Sequence, residues 1–149
     1  MYDNILLSLD SPRGVIANLR YVMSESTSDR IDELLDVIRL KKYKNLEGSN
    51  LSHGQKQWLE IGMLLAQDPD ILLVDEPAAG MTDAETADTA KLLIDIAKTK
   101  SVIVVEHDME FIRALNSKVT VLHEGSVLAE GSLDQVSKNQ QVIDVYLGR

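Results

Sequence analysis

The sequence has 149 residues, enough for one domain or two small joined subdomains, and its hydrophobic fraction of 44% suits a folded chain rather than a disordered one. A formal net charge of -9 argues against non-specific nucleic-acid binding, which depends on a basic surface. The sequence has no cysteine, which excludes disulfides and thiolate metal sites. No apolar run approaches the roughly 18 residues of a membrane span.

The N-terminal region is predicted to be helical. Asn4–Leu9 is an apolar stretch, and Ser11–Gly14 is predicted to be a turn. A second helix is predicted over Ser28–Leu40, with Ser28 as its cap, because apolar residues recur there at the spacing of one helix face: Ile31, Leu34, Leu35 and Ile38. Leu46–Asn50 is polar and predicted to be a loop.

The next helix is predicted to begin near Ser52 and to run to about Gln67, because Ser52 and Gln55 fit a capping box. Strand, helix and strand follow at Ile71–Val74, Thr86–Thr99 and Val102–Val105. Such a βαβ unit predicts a parallel sheet, and the wholly apolar first strand is expected to be buried on both faces.

The C-terminal region continues with a short helix and a hairpin. The helix is predicted over about Met109–Asn116, and the hairpin turns at Glu124-Gly125, with Gly125 and Gly131 as turn glycines. The remaining predicted elements are two hairpin strands and two helices: Val119–Leu122, Val127–Glu130, Leu133–Lys138 and Gln141–Leu147. We place the domain boundary near Asp68, which gives a helical subdomain of residues 1–67 and an α/β region of residues 68–149.

Two adjacent carboxylates, Asp75 and Glu76, follow the first predicted strand. Ligands of open α/β sheets bind beyond the carboxyl ends of the strands. Asp75 could hold Mg²⁺ on nucleotide phosphates there, and Glu76 could deprotonate a water. The simpler interpretation is that acids end the strand at solvent, and this pair alone leaves the two interpretations balanced.

His107 follows the second predicted strand, so it is expected at the same sheet edge as Asp75 and Glu76. A histidine there can hydrogen-bond a terminal phosphate. A surface histidine that caps the next helix is the alternative, and it would be favoured for His107 taken alone.

The segment Leu51-Ser52-His53-Gly54-Gln55 opens the helix that begins near Ser52. A helix N-terminus presents unpaired N–H groups and the positive end of a dipole, Gly54 permits close approach, and Ser52 adds a hydroxyl. These groups could bind an anion such as a γ-phosphate. An ordinary capped helix is the alternative.

The order of these features is more specific than any one of them. Leu51–Gln55 resembles the LSxGQ signature of the ABC ATPase family, Ile71–Pro77 resembles its Walker B strand with the catalytic glutamate, and His107 resembles its switch histidine. The resemblance covers nearly the whole chain. It implies an α/β fold, namely an incomplete P-loop-type parallel sheet with a helical signature subdomain.

The resemblance narrows to the ATP-binding subunits of branched-chain amino acid and urea importers, with the urea branch favoured. It rests on Ala78–Met81, Val105–Met109 and His123–Gly131. The D-loop of this family corresponds to Ala79–Thr82, where many members carry aspartate in place of Thr82.

By resemblance, Asp75 binds Mg²⁺, Glu76 activates water, and His107 contacts the γ-phosphate. Leu51, Ser52, His53, Gly54 and Gln55 bind the ATP held by a second ATPase subunit. A membrane permease is the further expected partner, which implies a cytoplasmic location on the inner face of the cell membrane.

The phosphate loop of the family, G-x-x-x-x-G-K-[ST], has no counterpart in the sequence. We therefore expect the chain to be a truncated C-terminal portion that binds ATP weakly and hydrolyses it negligibly when isolated. We also expect self-association through an exposed sheet edge, or pairing with an N-terminal piece. A non-hydrolysing module that docks on a full-length ATPase or permease is the alternative function. A DNA-repair ATPase is disfavoured, because the stretch from Leu51 to Asp75 holds no coiled-coil insertion.

Overall fold

The computed structural model describes residues 1–9 and 24–147, and the turn predicted at Ser11–Gly14 lies outside them. The chain divides into two compact units, residues 1–105 and 106–149. The division predicted from the sequence, at Asp68, separates a helical subdomain from an α/β region instead. The division at Asp68 stays a prediction. The first unit contains helices from both sides of that residue.

The first unit combines helices with a small parallel sheet. Its helices α1 to α4 and strands β1 and β2 span, in chain order, Tyr2–Ser8 (α1), Glu25–Val37 (α2), His53–Leu65 (α3), Ile71–Asp75 (β1), Asp83–Ile96 (α4) and Ser101–Val105 (β2). Two short 3₁₀ turns, Lys41–Tyr43 and Gly48–Asn50, lie between α2 and α3, where the sequence had predicted a loop over Leu46–Asn50.

The start of α2 differs from the prediction. Ser24, not Ser28, is the N-cap, and its hydroxyl accepts from the backbone N–H of Thr27 at 3.2 Å. Ser28 already lies inside the first turns of the helix. The prediction was wrong because it placed the cap directly before the apolar stripe, which begins at Ile31. The helix itself begins one polar turn before Ser28.

Helices α1, α2 and α3 pack on one another around fully buried isoleucine and leucine side chains, among them Ile5, Leu35 and Ile38. Gly62 of α3 lies against this cluster. A Cβ at Gly62 would lie 2.5 Å from Ile38 Cδ1 and 3.2 Å from Ile5 Cδ1. The absence of a side chain at this position therefore lets α3 approach both neighbours closely.

Strands β1 and β2 pair in parallel, with Ile71 opposite Ser101 and Asp75 opposite Val105, as the βαβ pattern predicts. The expectation that β1 is buried on both faces was wrong. Leu72 and Val74 are buried, but Leu73 is 64% exposed and its β2 neighbour Ile103 is also exposed. Within the described residues no element covers this second face, so the side chains alternate between core and solvent.

The second unit contains a helix, a hairpin and two further helices, α5 to α7 with β3 and β4. They span Met109–Leu115 (α5), Val119–His123 (β3), Ser126–Gly131 (β4), Leu133–Val136 (α6) and Gln140–Leu147 (α7). The hairpin prediction is confirmed, since β3 and β4 pair antiparallel with an irregularity between Val121 and Leu122.

The hairpin turn consists of Glu124 and Gly125, which both have positive φ, 48° and 76°. Positive φ at both positions is the feature of the two-residue type I′ turn. Gly131, also predicted to be a turn glycine, is instead the last residue of β4 and pairs with Val119. A Cβ on Gly131 would lie 2.7 Å from Gln135 Oε1, so this glycine lies close to α6.

Among the helices in the portion of the chain that the structure describes, none has both the length and the apolar character needed to cross a membrane.

The buried cluster of the first unit makes a direct stability prediction. Leu35→Ala should lower the free energy of unfolding by about 2–5 kcal/mol, because it removes a fully buried side chain and leaves a cavity. Leu7→Ala is the matched control, since Leu7 is 85% exposed and should change stability by less than about 0.5 kcal/mol. Urea unfolding followed by the fluorescence of Trp58, the single tryptophan, measures both. Equal effects of the two substitutions would contradict the assigned core.

Candidate functional site

The segment Leu51–Gln55 forms the capped start of α3, as its capping-box pattern predicts. Ser52 is the N-cap: its hydroxyl accepts from the backbone N–H of Gln55 at 3.3 Å, and its own N–H donates to Gln55 Oε1 at 3.0 Å. Leu51 is buried, whereas Ser52 and His53 are exposed. The two hydrogen bonds of the capping box thus hold the helix start in place. The Ser52 hydroxyl lies at the positive end of the helix dipole.

A second helix start, that of α4, faces the first. Thr82 is the N-cap of α4 and forms a capping box with Glu85. The Thr82 backbone N–H and hydroxyl donate to Glu85 Oε2 at 3.1 and 3.0 Å. The other carboxylate oxygen, Oε1, accepts from the Ser52 hydroxyl at 2.9 Å. One carboxylate therefore connects the starts of two helices.

Glu85 is also in close contact with the backbone of the signature segment. A Cβ on Gly54 would lie 3.1 Å from both Cδ and Oε1 of Glu85. The backbone N–H of Thr82, then the hydroxyls of Ser52 and Thr82, and more weakly the backbone of Gly54, stabilise the charged carboxylate. They hold the pKa of Glu85 below its ordinary value of 4.5.

His53 connects the same helix start to the loop after β1. Its Nε2 lies 2.9 Å from the carbonyl oxygen of Ala79. Gly80 follows with a φ of 69°, and a Cβ there would lie 3.6 Å from the His53 ring. The structure therefore brings Ser52, His53 and Gly54 together with 79–85, which contains the predicted D-loop.

Asp75 and Glu76 lie at the carboxyl end of β1, where the sequence predicted them. Asp75 pairs with Val105, the Glu76 backbone N–H donates to the Val105 carbonyl at 2.9 Å, and both acidic residues are exposed. Glu76 has a φ of 46°, a left-handed conformation that is uncommon for a residue with a side chain and that clusters at functional sites. Pro77 and Ala78 are buried directly after it, so the chain turns inward there.

The carboxylate at Asp75 fits the requirements of Mg²⁺, which takes oxygen ligands and is usually held by one or two protein carboxylates together with phosphate oxygens. No group of three or more possible metal-ligating side chains occurs among residues 1–9 and 24–147.

His107 belongs to the second unit and follows the last residue of β2 by two positions. The Glu106 carboxylate accepts from the backbone N–H groups of His107 and Asp108 at 2.9 and 3.2 Å. Asp108, not His107, caps α5 by accepting from Glu110 and Phe111. The alternative interpretation of His107 as a helix cap was therefore wrong. Its imidazole is largely exposed.

Sequence reasoning missed Glu85. The signal was available, since Thr82-x-x-Glu85 is the same capping-box pattern as Ser52-x-x-Gln55. The prediction had placed the start of this helix at Thr86, and this placement left Glu85 outside it.

Comparison with protein families shows which family the chain belongs to. The family described as ABC transporter matches residues 3–79, just over half of the chain. The chain belongs to this family. A second family, described as branched-chain amino acid ATP-binding cassette transporter, matches residues 126–149.

Curated relatives agree with this assignment. The high-affinity branched-chain amino acid transport ATP-binding protein LivG of Escherichia coli K12 is 33% identical over 133 residues, which are 88% of this chain and 52% of LivG. The corresponding protein BraF of Pseudomonas aeruginosa is 36% identical over 119 residues, 76% of this chain and 46% of BraF. This ABC family chain thus spans about half the length of the curated relatives it matches.

A solved structure confirms the predicted fold class. The crystal structure of a nucleotide-free ATP-binding cassette from an ABC transporter matches with a TM-score of 0.81 at 22% identity. The match covers 99% of this chain and 62% of that one. The chain therefore has the mixed α/β architecture of ABC ATPase domains.

The lowered pKa of Glu85 predicts a pH-dependent contribution to stability. This contribution is fully present above pH 4.5, the ordinary pKa, and is lost as the pH falls through the lower pKa of the folded state. Glu85→Gln should therefore destabilise the chain above pH 4.5, and the difference from wild type should shrink at lower pH.

Urea unfolding of both proteins between pH 7 and pH 3, followed by Trp58 fluorescence, measures this difference. Asp83→Asn controls for net charge, because Asp83 is exposed on the first turn of the same helix. A difference between wild type and Glu85→Gln that stays constant over this pH range would contradict the prediction.

Proposed function

We propose that this chain belongs to the ATP-hydrolysing, energy-coupling subunit of an ABC importer. The observation that carries the proposal is the pair Asp75 and Glu76 at the carboxyl end of a parallel strand, in a chain of the ABC transporter family. Bound ATP and Mg²⁺ would supply the reacting phosphoryl group and compensate its charge.

The residues have distinct proposed roles. Asp75 is the ligand for Mg²⁺, and Glu76 accepts a proton from the attacking water. His107 donates a hydrogen bond to the terminal phosphate. The start of α3, from Leu51 to Gln55, binds the phosphate of a nucleotide held by a second ATPase subunit, with Ser52 and the Gly54 backbone as donors.

Branched-chain amino acids or urea are the proposed cargo. LivG and BraF carry branched-chain amino acid transport in their names, and the family model at residues 126–149 is of the same type. The resemblance to the urea-importer branch extends throughout the chain, and it is the reason that urea is proposed within this group. Growth on urea or on leucine as nitrogen source, in a host that lacks its own importer, distinguishes the two.

The proposed partners are a second ATPase subunit and a membrane permease, and the proposed location is the cytoplasmic face of the cell membrane. The sequence contains no phosphate-loop motif, and we propose that residues outside these 149 supply the phosphate cradle. The alternative function, a non-hydrolysing module that docks on a complete ATPase or permease, rests on the same observation.

The apolar face of the β1–β2 sheet is a proposed contact surface. Ile71, Leu73, Ile103 and Val105 are all at least half exposed, and each strand pairs with one neighbour among the described residues. We propose that the portion of the ATPase core present in the relatives and outside this chain covers this face. In the purified chain, exposed apolar surface and open strand edges favour self-association instead.

Reconstitution tests the ATPase proposal. The chain alone should hydrolyse ATP negligibly, and activity should appear when a polypeptide carrying the N-terminal half of a branched-chain relative is added. Glu76→Gln should lower the reconstituted kcat by about 100-fold or more, because it removes the proposed base. Released phosphate is the measurement.

Glu60→Gln is the matched control, since Glu60 is exposed on α3, and it should keep full activity. Equal activity of Glu76→Gln and wild type would refute the role of Glu76. Absence of hydrolysis in every mixture, from folded material, would favour the docking module.

Light scattering tests the sheet face. The purified chain should form dimers or larger species, and Leu73→Lys should shift it to monomer because it places a charge within the apolar face. Leu64→Lys, on the exposed side of α3, should leave association unchanged. The N-terminal half should dissociate the wild-type oligomer into a 1:1 complex. A monodisperse wild-type monomer that does not bind that half would contradict the proposed surface.

A further inference from the structure

The hydroxyl of Ser52 has a partner inside the chain. It donates to Glu85 Oε1 at 2.9 Å while it accepts from the Gln55 backbone N–H. A serine hydroxyl carries a single proton and can donate one hydrogen bond at a time. An anion that needs the Ser52 proton must therefore compete with Glu85 for it.

Glu85 also occupies space and carries a negative charge next to the backbone of Gly54. Its Oε1 lies within 3.1 Å of the position of a Cβ on Gly54, so the carboxylate lies against the same backbone that would bind a phosphate. A negative charge here resembles a bound anion at a helix N-terminus. A second anion a few ångströms away would be repelled.

The carboxylate can give up Ser52 without losing all its partners. Its other oxygen, Oε2, holds both the backbone N–H and the hydroxyl of Thr82. These contacts belong to the capping box of α4 and do not involve Ser52. Release of Ser52 therefore leaves the start of α4 capped, which makes a two-position arrangement physically accessible.

The geometry points to Glu85 as a built-in competitor of phosphate at the start of α3. In the anion-free chain Glu85 Oε1 holds the Ser52 hydroxyl, and phosphate binding requires that this bond opens. The inference rests on the proposed function, since it assumes that the signature segment binds a nucleotide phosphate. Glu85 acts through Ser52 and is a regulatory positioning residue rather than a catalytic one.

The contact also connects two regions of the site. The start of α4 follows the loop 79–82, which His53 contacts through the Ala79 carbonyl. Displacement of Glu85 from Ser52 would break one of the hydrogen bonds that join the signature segment to residues 79–85. Phosphate bound at α3 could thus alter the chain that leads back to Glu76.

Glu85→Gln is the informative substitution. Glutamine keeps the length of the side chain and can form a capping box, as Gln55 and Gln135 already do in this chain. The charge is removed while the helix start keeps its cap. Thermal unfolding at pH 7 should show that the variant remains folded.

The experiment titrates inorganic phosphate into the ¹⁵N-labelled 149-residue chain and follows the Gly54 amide by NMR. Removing one like charge at this distance should lower the apparent Kd for phosphate by about fivefold in Glu85→Gln. Asp83→Asn removes a charge from the same turn without touching Ser52, and it should change the apparent Kd by less than about twofold. Ser52→Ala should weaken binding in both backgrounds.

Three outcomes decide whether Glu85 competes with phosphate for Ser52. Tighter binding in Glu85→Gln but not in Asp83→Asn supports competition. Binding that Ser52→Ala weakens, but that Glu85→Gln leaves unchanged or weakens, overturns competition and leaves the proposed function intact. No phosphate response at Gly54 in any variant overturns competition, because removal of the competitor should have exposed the site. The proposed function, in which a second subunit holds the nucleotide, is then decided by the reconstituted ATPase activity.

Discussion

The starts of α3 and α4 share a single carboxylate, and the local arrangement of the candidate site depends on this contact. The first turn of any helix leaves backbone N–H groups without partners inside the helix. Here Ser52 and Gln55 satisfy two of the backbone N–H groups at the start of α3, while Thr82 and Glu85 satisfy two at the start of α4. The bond from Ser52 to Glu85 joins the two capping boxes. The signature segment and the loop after β1 are consequently held in one position.

A second bond fixes the angle between the two helices. The indole N–H of Trp58 on α3 donates to the Thr89 hydroxyl on α4 at 2.8 Å, and Thr89 is fully buried. Thr89 in turn donates to the backbone carbonyl of Glu85 at 2.8 Å. Contacts at the helix starts and one to two turns further along restrain both position and direction. The two helix starts are thus held relative to each other before any ligand arrives, with the Ser52 proton engaged by Glu85.

The sheet supplies the other half of the arrangement. Parallel pairing of β1 and β2 brings their carboxyl ends to one edge, where Asp75 and Glu76 emerge. Positive φ values at Glu76 and Gly80 turn the chain sharply between β1 and α4. The path from the proposed base to the Ser52–Glu85 contact is therefore short and continuous. The open apolar face of the same strands is the reason that we propose a further covering element for this sheet.

Helix periodicity and capping chemistry were predictable from the sequence because both depend on residues three or four apart. The box at Ser52 and Gln55 was confirmed to the residue, whereas the cap of α2 was misplaced to Ser28, since several serines compete for that position. Exposure of Leu73 was not predictable, because an apolar strand is the same sequence whether or not a neighbour covers it. The capping role of Glu85 was predictable from Thr82-x-x-Glu85, but its contact with Ser52 was not, because Ser52 lies 33 positions away.

By itself the sequence determined the elements that depend on local chemistry: the capped signature helix, the βαβ pattern and the acids that end its first strand. The tertiary structure alone decided which of these meet. It placed Glu85 on Ser52 and His53 on Ala79, and it left one sheet face open to solvent. The physical reason is that contacts between distant residues follow from the packing of α3 against α4, which no local pattern encodes.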